Sequence, residues 1–278
     1  MSKATRSMIG HYLGVIFIMF WGLAPFYWMV VVALRDQRYT FDTTPWPTHV
    51  TLENFQDALA TDKGNDFLGA IGNSLLISIA TTSLAVLVGV FTAYALARLN
   101  FPGKGLVTGI ILAASMFPGI ALVTPLFQLF GDLGWIGTYR AMIIPNISFA
   151  LPLTIYTLVS FFRQLPWELE EAARVDGASR GQAFRLVLLP LAAPALFTTA
   201  ILAFIATWNE FMLARQLSTT ATEPVTVAIA RFSGPSAFEY PYASIMAAGA
   251  LVTVPLIIMV LIFQRRIVSG LTAGGVKA

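Results

Sequence analysis

The chain has 278 residues, of which 57% are hydrophobic and 11% charged, and its mean hydropathy is +0.75. A soluble domain is much less apolar, so the lipid bilayer is the expected solvent. Because the chain has no cysteine, disulfides, thiolate metal sites and cysteine nucleophiles are excluded. The net charge of +3 says little as a total. The runs of Lys and Arg are too short to suggest that the chain binds nucleic acid.

Six stretches are long enough to cross a hydrocarbon core about 30 Å thick, which needs about 20 helical residues. They lie at 9–34, 70–96, 106–130, 140–162, 186–213 and 243–263. The first stretch is too long for a signal peptide and lacks a small-residue cleavage site after it, so we expect it to remain as a helix. No stretch is left for a soluble domain. We predict an all-α integral membrane protein with six transmembrane helices in a single domain, 1–278.

Positive charge is unevenly distributed between the two sides of the predicted membrane. With the N-terminus in the cytoplasm, eleven Lys and Arg residues lie on the inner side and six on the outer side. The positive-inside rule therefore predicts that both termini are cytoplasmic. The segment between the fourth and fifth spans is then cytoplasmic as well.

Five of the six predicted spans contain proline. A proline removes one backbone hydrogen bond and bends a helix, which a membrane tolerates only where neighbours or water satisfy the freed carbonyl. Bent helices suit a gated path through the membrane. The alternative is that prolines are simply common in membrane helices.

The segment between the fourth and fifth predicted spans is dense in charge. Pro166 suits the first position of a helix, and the glutamates that follow place negative charge near the positive end of the helix dipole. Gly177 supplies a left-handed stop. We predict a helix at 166–177 that is about 16 Å long.

A second helix is predicted to begin directly after the first. Ser179 and Gln182 form a capping-box pattern, and the helix that they start enters the membrane at Leu186. The end of the first helix carries small residues, so it can enter a narrow cleft on a partner. The alternative is a solvated amphipathic turn between two spans.

This segment carries a resemblance to a known family. Glu-Ala-Ala at 171–173 is followed after three residues by Gly177, and after nine more by Val-Leu-Leu-Pro at 187–190. The pattern resembles the EAA loop of the membrane subunits of bacterial ATP-binding-cassette (ABC) importers, with Val187 where that family more often has Ile. The resemblance implies that the 166–177 helix couples the chain to an ATPase. The implied coupling residues are Glu171, Ala172, Ala173, Asp176, Gly177 and Ala178.

The C-terminal segment 264–278 contains several glycines, which predict an extended, adaptable tail. This segment and the sequence Tyr-Ala-Leu-Ala-Arg at 94–98 are similar to those of MalG-type sugar permeases, and the likeness extends over essentially the whole chain. In that family the tail lies between the two ATPase subunits. The resemblance therefore implies ATPase contacts through Gly270, Leu271, Thr272, Gly274 and Gly275.

Polar side chains near the end of the fifth span are candidates for a substrate path. Glu210 is costly in hydrocarbon, so it should face the bundle interior, a cavity or the outer interface. Asn209 and Asn146 are the other strong hydrogen-bonding side chains at comparable depth, and Tyr156 and Trp208 offer flat surfaces on which sugar rings stack. The alternative is that these residues are interhelical hydrogen-bonding groups and interfacial aromatics.

The predicted outer loop 214–242 is an exposed turn with apolar contacts nearby. By resemblance to maltose-type permeases, the loop would contact a solute-binding protein. The residues implied in that contact are Phe232, Gly234 and Pro235.

Several chemistries have no residues to support them. The sequence Gly103-Lys104-Gly105 lacks the upstream glycine and the hydroxyl of a phosphate-binding loop. No H-E-x-x-H or G-x-S-x-G pattern appears, and the two histidines stand alone. We therefore expect no enzyme activity, no metal and no cofactor in this chain, with ATP and Mg bound on partner ATPase subunits.

The resemblance implies the fold of type I ABC importer permeases, in a bacterial inner membrane, and translocation of a di- or oligosaccharide of the maltose or trehalose type. It also implies three partners besides membrane lipid: a second, homologous permease subunit, a homodimeric ABC ATPase and an extracytoplasmic solute-binding protein. One alternative is a permease for another solute, such as a different oligosaccharide or glycerol phosphate. Two others are an ion-coupled secondary carrier and a membrane scaffold that holds a partner enzyme. Two observations argue against the carrier: no acidic residue sits clearly at mid-membrane, and no inverted repeat is evident.

Overall fold

The computed structural model describes residues 3–60, 66–232 and 240–275. Within those ranges the secondary structure is helical, and the only β pairing is an isolated bridge between Arg35 and Val50. The all-α prediction is confirmed. The α-helices in chain order are α1 (Lys3–Ala33), α2 (Glu53–Leu59), α3 (Phe67–Arg98), α4 (Lys104–Ser115), α5 (Val123–Asp132), α6 (Tyr139–Gln164), α7 (Glu168–Val175), α8 (Arg180–Ala183), α9 (Leu189–Leu191), α10 (Ala193–Trp208), α11 (Met212–Leu217), α12 (Val225–Ala230) and α13 (Tyr242–Gly275).

Four of the described helices, α1, α3, α6 and α13, are individually long and apolar enough to cross a membrane. Two further pairs of helices pass the same test only when each pair is taken together. Lys104–Ser115 and Gly119–Asp132 meet at 88°, and Arg180–Leu191 and Ala193–Trp208 meet at 70°. The described part therefore holds six spans if each bent pair is one span.

The third predicted span is broken at Pro118. The residue before a proline is driven out of the α region, and Met116 and Phe117 leave the helix accordingly. A short 3₁₀ helix, Gly119–Leu122, then leads into α5. Pro125 lies in the first turn of α5, where its missing N–H costs nothing.

The fifth predicted span is bent for a similar reason. Pro190 cannot donate to the carbonyl four residues earlier, and the chain before it, Phe184–Leu188, is π-helical. Pro194 then occupies the first turn of α10. By contrast, α6 stays continuous through Pro145 and Pro152. Proline content alone therefore does not decide which span bends.

The chain divides into two compact units, 1–68 with 228–255 and 69–227 with 256–278. In the first unit, Arg35 is fully buried and organises the connection between α1 and α2. Its guanidinium donates to the carbonyl oxygens of Asp42, Thr44 and Trp46, and it lies 5.1 Å from the ring centroid of Trp28. One buried guanidinium thus holds three backbone carbonyl groups of an irregular segment.

Two further side chains complete this segment. Asn54 is buried, and its amide donates to the carbonyl oxygen of Arg35 over 2.6 Å. Hydroxyl hydrogen bonds from Thr48 and Thr44 hold the pKa of the Asp42 carboxyl below its usual value. Because the folded pKa is lowered, this contribution to stability is present at neutral pH and is lost as the pH falls through the lowered pKa.

The second unit has a tightly packed core between α3 and α6. A Cβ added at Gly89 would lie 2.5 Å from the Thr154 methyl carbon, so only glycine fits at this contact. One cluster of buried side chains lies toward the end of α3 and the start of the fifth span, at Val90, Ala93, Leu158, Phe162, Phe184, Leu188, Ala192 and Ala195. Another is formed by Ile77, Phe130, Ala141, Met142, Leu213, Ala214, Leu217 and Val227.

Hydrogen bonds fix the connection between α11 and α12 against the start of α3. The Tyr139 hydroxyl donates to Asn73 Oδ1 over 2.7 Å, and Asn73 Nδ2 donates to the carbonyl oxygen of Glu223 over 3.0 Å. The Val225 amide donates to Ser74 Oγ over 2.8 Å. Side-chain hydrogen bonds thus attach this connection to α3 and, through Asn73, to α6.

Candidate functional site

The EAA segment, residues 168–178, begins with α7 and ends in a Schellman motif. The first turn of α7 carries three glutamates, which face the positive end of the helix dipole. Gly177 has φ +91°, its amide donates to the Arg174 carbonyl, and the Ala178 amide donates to the Ala173 carbonyl. The helix starts two residues later than the predicted 166 and stops where the glycine predicts.

A new helix starts immediately after this stop. The Ser179 amide donates to Gln182 Oε1 over 2.8 Å, and the Gln182 amide donates to Ser179 Oγ over 3.3 Å. This capping box confirms the predicted pattern. The EAA segment is therefore joined to α8 and the fifth span by one sharp corner.

The tip of the EAA segment is open. Glu171, Ala172, Asp176 and Gly177 are exposed, whereas Ala173 and Ala178 are half-buried. Val175 is 86% exposed, although it was not among the residues predicted to act here. A single exposed apolar side chain is common on protein surfaces, so Val175 adds no evidence of its own for a partner.

The base of the EAA segment is held by a second group of residues, which we call the Tyr94 cluster: Tyr94, Arg98, Trp167 and Glu170. The Tyr94 hydroxyl donates to Glu170 Oε1 over 3.1 Å, and Arg98 Nη2 donates to the carbonyl oxygen of Leu165 over 2.6 Å. The Arg98 guanidinium lies 4.4 Å from the Trp167 ring centroid. These contacts could not be predicted from the sequence, because their partners lie 76 and 67 residues apart and leave no local pattern.

The candidates for a substrate path are only partly brought together. Asn146 and Glu210 both line a cavity of about 170 Å³ between α6 and α10, together with Thr207. The Asn146 amide donates to the Met142 carbonyl oxygen over 2.9 Å, which leaves its side-chain oxygen as the other hydrogen-bonding group. An amide and a carboxylate beside threonine hydroxyls can recognise a hydroxyl.

Glu210 also has a structural role. Its two carboxylate oxygens accept hydrogen bonds from the amides of Leu213 and Ala214, over 2.8 and 3.0 Å, at the start of α11. A carboxylate that satisfies two free amides in the first turn caps the helix. This local cap is a structural role, although it differs from the interhelical hydrogen bond of the alternative considered for Glu210.

The other three path candidates lie elsewhere. The Trp208 ring is 1% exposed and stacks on Phe204, so it offers no free face to a sugar in this structure. Asn209 is exposed, and its amide donates to the Ile205 carbonyl oxygen. Tyr156 is 65% exposed and lines a separate groove between α4 and α6.

Phe232 is buried and meets Phe67 edge to face, with ring centroids 6.1 Å apart. Gly234 and Pro235 lie outside the described residues.

The backbone of the C-terminal segment differs from the expected extended tail. Helix α13 continues through Gly270, Leu271, Thr272 and Gly274 to Gly275. No proline follows Pro255, so no residue in the described part of this segment blocks the helical hydrogen-bond pattern.

No group of three or more His, Asp or Glu residues that could hold a metal ion occurs in the described ranges.

Residues 85–272 match the family described as binding-protein-dependent transport system inner membrane component. The chain belongs to this family. It is therefore an inner-membrane component of a binding-protein-dependent transport system, and the predicted resemblance is confirmed.

Relatives in this family align along almost the whole chain. The trehalose transport system permease protein SugB of Mycobacterium tuberculosis is 48% identical over 258 residues, which cover 92% of this chain and 93% of the relative. The trehalose/maltose transport system permease protein MalG of Thermococcus litoralis is 43% identical over 257 residues, covering 92% and 91%. The sulfoquinovosyl glycerol transport system permease protein SmoH of Agrobacterium fabrum is 38% identical, covering 92% and 89%.

Solved structures show that the fold is shared with ABC importers. A chain of a bacterial ABC transporter involved in the import of alginate matches with a TM-score of 0.79 at 21% identity, covering 95% of this chain and 98% of that chain. A chain of the inward-facing MetNI methionine ABC transporter matches with a TM-score of 0.60 at 18% identity, covering 73% and 95%. The predicted importer permease fold is confirmed.

Glu210 could cap α11, contact the substrate, or do both, and one variant separates these roles. We expect Glu210→Ala to lower the free energy of unfolding by about 2 kcal/mol, because two amides at the start of α11 lose their acceptors. The apparent KM for sugar uptake should stay unchanged. Thermal unfolding of the purified complex and uptake kinetics in proteoliposomes measure the two quantities.

The exposed Asp132 at the end of α5 provides the control, since Asp132→Ala removes a carboxylate outside the first turn of a helix and should change neither quantity. A raised KM in the Glu210 variant, with an unchanged melting temperature, would contradict the capping role and restore Glu210 as a substrate contact.

Proposed function

We propose that this chain is one of two permease subunits of an ABC importer for a di- or oligosaccharide of the trehalose or maltose type. The observation that carries the sugar class is the 48% identity to a trehalose permease across nine-tenths of both chains. The thermococcal relative, which is named for trehalose and maltose, supports the same class. The relative named for a sulfoquinovosyl glycerol supports a glycoside of another kind as the second candidate.

The proposed partners follow from what one such chain lacks. A single chain with up to six spans supplies one side of a path, so a second, homologous permease subunit supplies the other. The described residues offer an open helix tip, and the sequence carries no phosphate-binding loop pattern. A homodimeric ABC ATPase, which binds ATP and Mg, is therefore the proposed partner below the membrane, and a solute-binding protein delivers the sugar from above.

The proposed orientation rests on charge. Eleven of the 17 Lys and Arg residues lie on the side that holds the EAA segment, which is the cytoplasmic side under the positive-inside rule. Both termini are then cytoplasmic, and the segment around Arg35 is outside. The ATPase can reach the EAA segment only in this orientation.

The proposed mechanism uses the EAA segment as a rigid connector. When the ATPase subunits close on ATP, the open tip at Glu171, Ala172 and Gly177 moves with them. The corner at Ser179 passes the displacement to α8 and from there to α10, which borders the cavity that Asn146 lines. A ligand shifts a conformational equilibrium only through contacts that differ between states, and these contacts are assigned to the EAA segment and to the end of α13.

The direct test is reconstitution of the chain with its partner permease, ATPase and solute-binding protein in proteoliposomes. We expect ATP hydrolysis to rise when both the binding protein and trehalose or maltose are present, together with uptake of that sugar. Hydrolysis that stays unchanged under every sugar, with uptake driven by a proton or sodium gradient in vesicles without ATP, would overturn the proposal in favour of a secondary carrier. Stimulation by a different glycoside alone would replace the sugar class and leave the importer in place.

A further inference from the structure

The Tyr94 cluster contains two buried charges at the junction of α3 and α7. Arg98 and Glu170 are each 6% exposed. Burying a charge costs free energy unless hydrogen bonds and opposite charge offset it, so a buried pair at the edge of a membrane domain requires an explanation. Solvated side chains would serve equally well if α7 only had to connect two spans.

Tyr94 is the point where four elements meet. Its hydroxyl donates to Glu170 on α7. Its ring lies 4.6 Å from that of Phe184 in the π-helical segment and 6.2 Å from that of Phe162 near the end of α6, measured between centroids. A displacement of Glu170 is therefore felt at the ends of the second, fourth and fifth predicted spans.

Arg98 provides a second connection between α3 and the base of α7. Its guanidinium is held between the Leu165 carbonyl oxygen and the Trp167 ring. Its Nε and Nη1 atoms and Glu170 Oε2 have no hydrogen bond to another described residue. The two charges line the same cleft without being locked to each other, so the cluster holds α7 through Tyr94 and Trp167.

The Tyr94 cluster adds a buried connection to the one made by the corner at Ser179. Residues 179–182 are all exposed, whereas Tyr94 packs on two aromatic rings and Arg98 and Glu170 are buried. Close-packed, hydrogen-bonded contacts in a protein interior are rigid and transmit strain. The second span, which is remote from the EAA segment in sequence, is thus tied to it through side chains.

We propose that Tyr94, Arg98 and Glu170 are positioning residues that carry the displacement of the EAA segment into α3. This inference rests on the proposed coupling to an ATPase and adds the second span to the elements that move. The Tyr94–Glu170 hydrogen bond transmits the motion, and the contact of Arg98 with Trp167 fixes the base of α7 while it does so.

The test measures trehalose transported per ATP hydrolysed by the complete complex in proteoliposomes. Tyr94→Phe removes one hydroxyl and keeps the aromatic ring, so assembly should be preserved. We expect the transport ratio to fall about tenfold, which corresponds to one lost hydrogen bond to a charged group. Hydrolysis without the binding protein should stay within about twofold of the parent rate, because a folding defect would lower both activities together.

Glu170→Ala should lower the same ratio by a similar factor, and the double variant should fall no further, since both changes remove one interaction. Tyr139→Phe, which removes a hydroxyl hydrogen bond to Asn73 near the start of α3, is the matched control and should leave the ratio unchanged. An unchanged ratio in Tyr94→Phe, or additive losses in the double variant, would overturn the inference.

Gly177→Leu separates this inference from the proposed function. If Gly177→Leu uncouples transport while Tyr94→Phe does not, the coupling to an ATPase stands and the role of the cluster fails. If neither variant changes the ratio, the coupling proposal itself fails.

Discussion

Gly177→Leu is expected to lower binding-protein-dependent sugar uptake by at least about tenfold while the complex still assembles in the membrane. The tenfold loss corresponds to about 1.4 kcal/mol of lost docking free energy. Backbone strain is a separate effect of about 1 to 2 kcal/mol for a non-glycine residue at φ +91°. No described atom lies within 4 Å of a Cβ at this position, so the added side chain has no clash inside the chain. It projects from the tip that the ATPase would receive. Sugar uptake and ATP hydrolysis in proteoliposomes measure the effect.

Two further variants separate strain from obstruction. Gly134 has φ +63° and equally open surroundings among the described residues, so Gly134→Leu reproduces the strain away from the EAA segment and should leave uptake largely intact. Gly177→Asn tolerates the left-handed conformation and should lose less than Gly177→Leu. Uptake by Gly177→Leu equal to that of the parent chain would contradict the docking role.

Local signals in the sequence were sufficient to predict where the helix of the EAA segment ends and where the next helix begins. Gly177 ends α7 because glycine adopts the left-handed backbone conformation without strain. Ser179 and Gln182 start α8 because each side chain reaches a backbone amide three residues away. Interactions of this range depend on neighbouring residues alone. The stop of α7 and its corner with α8 could therefore be predicted.

The bends in the spans could be predicted only in part. The third span breaks at Pro118 and the fifth bends at Ala192, between Pro190 and Pro194, whereas α6 passes through its two prolines without a break. The sequence around each proline shows the lost hydrogen bond, but the packing that keeps α6 continuous comes from α3 and α10, far away in the chain. Tertiary contacts decide between a kink and a break.

The candidate path shows the same limit. Trp208 and Glu210 are neighbours of Asn209 in the sequence, yet one is packed against Phe204, one caps α11 and one is exposed. Polarity and aromatic character do not reveal which face of a bundle a side chain occupies. Glu170 is a further case, because its partner Tyr94 is 76 residues away.

Arg35 has the largest expected effect on stability. We expect Arg35→Ala to lower the free energy of unfolding of the first compact unit by about 3 to 5 kcal/mol, because three carbonyl oxygens lose a buried, charged donor. Arg35→Lys keeps the charge but not the planar fork that reaches several carbonyls at once, so we expect it to recover less than half of this loss. Thermal unfolding of the purified complex and the rate of proteolysis within residues 36–50 measure the effect.

Arg38 is the matched control, since it lies in the same segment and is exposed. Arg38→Ala should leave both the melting temperature and the proteolysis rate unchanged, because a solvated arginine contributes little to stability. If Arg35→Ala melts at the parent temperature and resists the protease equally well, the segment is held by Asn54 and Asp42 instead. If Arg35→Lys is as stable as the parent, charge alone holds the segment and the fork geometry is not required.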